Sequence, residues 1–151
     1  MEQPIQTYWE AFLKDKNLPG GSPFFEVFYF GADEPSATHL LELVMDGEKT
    51  ATSSAKPEYE LNGDPLPKVG DYSIVTDFSG QPKCVIQTTE VTILPFNAMT
   101  FDLCKLEGED ETLESWQEKH IKFFSTVGAL SGYGFSPDME IVFEQFKRVY
   151  P

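Results

Sequence analysis

Along this chain, stretches with apolar residues at helical spacing give way to short strand-like runs, and that change of period is the strongest constraint on its fold. Tyr8, Trp9, Phe12 and Leu13 mark one face of a helix between Gln6 and Lys16, which Asn17-Leu18-Pro19-Gly20-Gly21 stops. Phe24 to Phe30, bounded by Pro23 and Gly31, is an apolar, aromatic run that suits a buried strand. Pro35 and Ser36 then introduce Leu40, Leu41, Val44 and Met45, a second amphipathic helix with Gly47 as its stop.

Lys49 to Ala55 is small and rich in Thr and Ser and reads as a strand; a polar loop with Asn62-Gly63-Asp64 and Pro65/Pro67 follows. Tyr72 to Phe78 and Lys83 to Leu94 flank the turn Ser79-Gly80-Gln81-Pro82 and read as a hairpin. From Thr112 a helix carries Leu113, Trp116, His120, Phe123 and Phe124, with Thr112 and Ser115 a poor capping box. Residues 128–134 read as a loop and Met139 to Val149 as a closing strand. Helix, strand, helix, then mostly strands implies an α+β fold with a small barrel or strongly bent sheet. Without repeats or linkers, the chain reads as one domain over residues 1–151, with an N-terminal helix and loop over 1–23 and a core over 24–149.

Composition narrows the function classes. A chain of 151 residues, 40 % hydrophobic and 14 % aromatic, has ample material for a core and buries roughly 68–70 % of its unfolded surface. No run approaches the ~20 apolar residues of a membrane span, and Met1-Glu2-Gln3-Pro4 carries no secretory features. A cytoplasmic protein is expected. Lys and Arg total 11 against 25 Asp and Glu, a formal charge of −14, and Arg148 is the sole arginine. A nucleic-acid binder needs several cations to neutralise phosphates, so long polyanions are disfavoured, although a local lysine cluster can hold one small anion. Cys84 and Cys104 form no CxxC motif and sit among apolar residues, and His39 and His120 are too few for a His-rich site. No metal and no cofactor are expected.

Generic motifs are absent: there is no Gly-rich phosphate loop, HExxH, GxSxG or EF-hand loop. One cluster stands out, Gly47-Glu48-Lys49-Thr50-Ala51-Thr52-Ser53-Ser54, a lysine beside hydroxyls at a helix–strand junction. A desolvated lysine has a lowered pKa and can act as a base toward a hydroxyl. In a regular strand, however, Lys49 shares a face with Ala51 and Ser53 and points away from Thr52; a solvated Lys49 is the plainer reading.

Gly47-x-Lys49-x-x-Thr52 resembles the G-x-K-x-x-T signature of the ASCH domain family, whose fold is similar to the PUA barrel. Further segments resemble one bacterial branch of that family: Phe28-Tyr29-Phe30-Gly31, Leu43-Val44-Met45-Asp46-Gly47, Val69-Gly70-Asp71, Asp77 to Gly80, Thr89-Glu90-Val91, Glu107-Gly108-Glu109 and Trp116-x-x-x-His120-x-x-Phe123-Phe124. The resemblance spans about residues 24–149 and implies a PUA-like/ASCH β-barrel flanked by helices.

It also implies an activity. Some small ASCH proteins are amidohydrolases that remove the acetyl group of N4-acetylcytidine with a Lys, a Thr and a Glu, which fall here on Lys49, Thr52 and Glu90. Neutral Lys49 takes the Thr52 proton, the Thr52 oxygen attacks the acyl carbon, and Glu90 orients Lys49 or protonates the leaving amine. Other members are linked to RNA binding, coactivator complexes or RNA cleavage, so a non-catalytic nucleotide or single-stranded RNA module, or an RNA-processing protein of the same fold, is the alternative, and a protein-interaction module a third. Where many members have Arg, two residues after the Thr, this chain has Ser54, which removes a bidentate contact and weighs against RNA.

Phe30, Gly31, Ser53, Asp77, Trp116 and His120 are candidate substrate-binding residues for a nucleoside-like small molecule. The plainer roles are core packing for Tyr29 and Phe30, a turn for Asp77, and helix packing for Trp116, with His120 on the same helix face. Glu107 to Glu111 reads as a solvated acidic loop from which Glu107 can reach a pocket.

Overall fold

A computed structural model describes residues 5–151. Five α-helices and five strands follow one another: α1 (Ile5–Asp15), β1 (Glu26–Phe28), α2 (Glu34–Met45), β2 (Ala51–Ala55), α3 (Lys56–Asn62), β3 (Tyr72–Thr76), β4 (Pro82–Pro95), α4 (Phe101–Cys104), α5 (Leu113–Ser131) and β5 (Glu140–Tyr150). Short 3-10 turns at Phe96–Ala98 and Lys105–Glu107 bracket α4. The sheet order is β1-β3-β4-β5-β2; β1 runs parallel to β3, whereas β3 pairs β4 and β2 pairs β5 antiparallel. This is the α+β fold expected from the order of periods.

The chain forms two compact units: one holds the described residues up to Glu48 with Val69–Thr89 and Phe146–Pro151, the other Lys49–Lys68 with Glu90–Gln145. In the first unit, α1 turns Tyr8, Trp9, Phe12 and Leu13 onto Ile74 and Val85. Burying each such side chain contributes roughly 1.5–3 kcal/mol. A second cluster joins Phe30, Val44, Val75, Cys84, Ile86 and Phe146. Helix α2 starts on a true capping box, Asp33 Oδ1 accepting from Ser36 N–H at 2.9 Å. It ends where Gly47 takes φ 79°: Glu48 N–H reaches Leu43 O at 2.9 Å and Gly47 N–H reaches Val44 O at 3.1 Å. This six-to-one and five-to-two pair satisfies the last carbonyls, and the left-handed turn favours glycine there.

In the second unit, Ala51, Ala55, Ile141 and Phe143 face Phe96, Trp116 and Phe124. Two expectations are corrected here. The polar loop with Pro65 and Pro67 begins only after Asn62, and the stretch directly after Ala55 is helix α3, with Pro57 in its first turn and Gly63 at φ 70° as its cap. It has no buried residue, so no apolar stripe marked it in the sequence. Likewise α5 continues through Gly128 to Ser131. Gly128 sits inside the helix because Tyr133 packs on it: a Cβ there would lie 2.6 Å from the Tyr133 carbonyl oxygen and 2.8 Å from its ring. Thr112 caps the helix, its hydroxyl accepting from Ser115 N–H at 3.1 Å.

Candidate functional site

Two charged residues among the described ones are buried as whole residues, Lys49 and Glu107, each 2 % exposed, and they belong to the same cluster in the second unit. Lys49 precedes β2, and the segment is fixed by Thr50, whose N–H and hydroxyl both donate to Leu106 O, at 2.8 and 3.2 Å. Lys49 Nζ donates to Ala51 O at 2.9 Å, Glu107 O at 3.4 Å and Glu109 Oε2 at 2.9 Å. An ammonium has three donors, and these three acceptors match it. The plainer expectation of a solvated Lys49 is therefore corrected: the side chain is buried because a carboxylate and two carbonyls replace its water.

Glu107 organises the rest. Its Oε2 accepts from Ser53 Oγ–H at 2.7 Å and from the Trp116 indole N–H at 3.0 Å. Its Oε1 lies 3.5 Å from His120 Nε2 and 3.9 Å from Lys49 Nζ. Burial alone pushes a carboxyl up, yet the His120 hydrogen bond, the Lys49 and His120 charges and the Ser53 hydroxyl together hold Glu107 below its ordinary value. His120 is fixed from its other side, since Nδ1–H donates to Trp116 O at 2.8 Å and a carbonyl can only accept. That leaves Nε2 facing the carboxylate. Asp110 is also buried; it takes Ser115 Oγ–H at 2.6 Å and Lys119 Nζ at 2.9 Å.

The expectation that Glu107 to Glu111 forms a solvated loop thus fails at two positions. Glu107 and Asp110 point inward because the 3-10 turn at 105–107 and the left-handed Gly108, φ 77°, reverse the chain beside α5. Trp116 is fully buried, its ring stacked on Phe96 at 5.2 Å and on His120 at 4.2 Å.

The four hydroxyls after Lys49 differ sharply. Thr50 is engaged with Leu106, Ser53 with Glu107, and Ser54 with the Tyr59 hydroxyl at 2.8 Å. Thr52 is half-buried, and its hydroxyl makes no hydrogen bond among the described residues. β2 pairs β5 in unbroken register, so Ser53 shares the core face with Ala51 and Ala55, whereas Thr52 and Ser54 lie on the other. Glu90 is exposed, and its Oε2 accepts from Gln145 Nε2 at 2.6 Å; Gln145 in turn pairs across from Ala51.

The remaining candidates lie in the first unit. Phe30 is core, 6 % exposed and stacked on Phe146 at 5.9 Å. Gly31 has φ 86°, and a Cβ there would meet Ser36 Oγ at 2.5 Å. Asp77 closes the β3–β4 turn, accepting from Ser79 Oγ–H at 2.7 Å and Gln81 N–H at 2.9 Å. Among the described residues no group of three or more His, Cys, Asp and Glu is arranged to hold a metal ion, and no helix is long and apolar enough to cross a membrane.

A family model described as the ASCH domain matches residues 26–150, which takes in Lys49, Thr52, Glu107 and His120 alike. The chain belongs to the ASCH domain family. An ASCH domain from Lactobacillus crispatus JV V101 is similar to it at 32 % identity, covering 99 % of this chain and 97 % of that one, with a TM-score of 0.86. A protein from Enterococcus faecalis V583 is similar at 35 % identity over 97 % of this chain and 88 % of that one, TM-score 0.89. A mutant ASCH protein from Zymomonas mobilis, at 9 % identity, 83 % and 76 % coverage and TM-score 0.51, shares the fold alone. None of the curated proteins compared matches the chain. The ASCH assignment accounts for the α+β, PUA-like architecture.

Proposed function

We propose that this ASCH domain is a hydrolase of a small acylated nucleoside or related amide, with N4-acetylcytidine as the reference substrate. One observation carries the reading: Lys49 is buried against carboxylates while Thr52, three residues on, holds the one hydroxyl of the segment that no neighbour among the described residues engages. Thr52 is the nucleophile. Lys49 is the base, once its ammonium has passed a proton to Glu109, the half-exposed carboxylate 2.9 Å away. Its Nζ is held to the Ala51 carbonyl, and strand carbonyls lie in the plane of the sheet, so the amine sits beside the main chain just before Thr52.

The steps balance. Neutral Lys49 removes the Thr52 proton, and the Thr52 oxygen adds to the acyl carbon. The C–N bond breaks as the amine leaves with the proton Lys49 took from Thr52, handed on directly or by way of Glu90; water then gives a proton to Lys49 as it adds to the acyl-threonine, and that proton returns to the Thr52 oxygen as the acid leaves. Glu107 and His120 act through Lys49 as positioning residues, since a general base must be held within hydrogen-bond reach of its proton. The −14 charge and Ser54 favour a neutral nucleoside over RNA.

The test is release of cytidine from N4-acetylcytidine by wild type, Thr52→Val and Ser53→Ala. Turnover that survives in Ser53→Ala and disappears in Thr52→Val supports the assignment. No turnover by folded wild type rejects that substrate, and turnover unchanged in Thr52→Val rejects the nucleophile.

A further inference from the structure

With 25 acidic residues against 11 basic ones, a cation in this chain has carboxylates available on every side. One cavity of the first unit departs from that expectation. It has a volume of about 510 Å3 and is lined by Lys16, Lys147 and Arg148 but by no acidic side chain. Lys147, exposed on β5, forms no ion pair among the described residues. Arg148, next to it and so on the opposite face of the strand, turns its guanidinium to the main-chain oxygens of Met45, at 3.3 Å, and of Pro151. Lys16 alone has a carboxylate, its neighbour Asp15, at 3.8 Å and well exposed.

Beneath these cations the cavity is apolar. Leu18, Tyr72 and Val149 line it, with buried Phe12 set edge-on to Tyr72 at a centroid distance of 5.1 Å. The frame is rigid: Asn17, at φ 58°, ends α1, and Leu18 N–H folds back onto Leu13 O at 2.8 Å. Tyr72 and Gln87 are opposed across the β3–β4 ladder. The volume lies within the ~300–1,000 Å3 of small-molecule sites.

We propose that this cavity binds a small aromatic anion, with its ring over Tyr72 and a phosphate or carboxylate head at Lys16 and Lys147. Charge-assisted hydrogen bonds are about twice as strong as neutral ones, and the aromatic floor selects a ring over a bare ion. The strongly acidic remainder of the chain repels long polyanions but admits one charged head. This site does not depend on the hydrolase reading of Lys49.

Phenyl phosphate, benzoate and inorganic phosphate, each titrated into the isotopically labelled full chain and followed by amide NMR shifts, test the proposal. The expected result is saturable shifts at Leu18, Tyr72, Gln87 and Val149 with one of the two aromatic anions. That anion binds about tenfold tighter than inorganic phosphate and at least about tenfold tighter than it binds Lys147→Gln or the doubly substituted Lys16→Gln, Lys147→Gln protein. Binding also weakens in about 0.5 M salt. Shifts centred elsewhere, no saturation with either aromatic anion, equal binding of inorganic phosphate, or unchanged affinity in a folded Lys147→Gln variant would each overturn it.

Discussion

The two units build their interiors from different materials. In the first, both clusters are aliphatic and aromatic, and the polar groups drawn inside are hydroxyls such as Ser73 and Thr76. In the second, a comparable core of Phe96, Trp116, Phe124, Ile141 and Phe143 surrounds a buried lysine and a buried glutamate. Desolvating two charges costs several kcal/mol per ion, and well-packed apolar residues of the same volume would often be as stable or more so. Stability alone therefore does not explain Lys49 and Glu107. The proposed chemistry offers a reason, because tightly held ionisable groups gather where a protein acts.

The sharpest way to break this contrast is to remove one charge. Glu107→Ala leaves Lys49, His120, Ser53 and the Trp116 indole facing an empty site, and denaturant unfolding should show a loss of about 3–5 kcal/mol. Combining Glu107→Leu with Lys49→Met should restore most of that stability, which a purely structural ion pair of high net worth would not allow.

Acid titration sharpens the same point. Glu107 is held below its ordinary value, 4.5, in the folded state. Its contribution is therefore fully present above that value and is lost as pH falls through the lower folded one. Glu107→Gln should flatten the acid limb of stability below about pH 5; an unchanged slope would place the titrating group elsewhere.

Packing gives smaller effects. Gly128→Ala should cost about 1–3 kcal/mol, because its Cβ collides with main chain as well as ring at Tyr133, while Gly134→Ala, with nothing within 4 Å, should stay within about 0.5 kcal/mol in the same unfolding assay. The least is expected in the first unit at Asp33→Ala, which removes the α2 cap and should lower the thermal midpoint slightly without altering turnover.

Much of the fold was legible because apolar residues report their own period. The α1 stripe is buried as its spacing placed it and the hairpin and closing strand form, while in α2 Val44 is buried and Leu40, Leu41 and Met45 pack half-buried against the same cluster. Helix α3 escaped notice because it buries nothing, and the end of α5 because Gly128 serves packing rather than a stop. At the site, Lys49 and its hydroxyls were visible as a local cluster, and alternation foretold the shared face of Ala51 and Ser53. The partners were not. Glu107 and Glu109 stand 58 and 60 residues from Lys49, inside an acidic run whose composition reads as solvated. Only the turn at Gly108 and the spacing of Trp116 and His120 on one helix face hinted that this run looks inward. Lys16 and Lys147, from opposite ends of the chain, meet at one cavity that no sequence window contains.

The most direct test of the account is the rate of N4-acetylcytidine hydrolysis by wild type and by Lys49→Met, compared at equal folded fraction. The account predicts turnover by wild type and a fall of roughly 10²–10⁴-fold in the variant, the range for loss of a general base. Wild-type turnover undiminished in a folded Lys49→Met protein would contradict it.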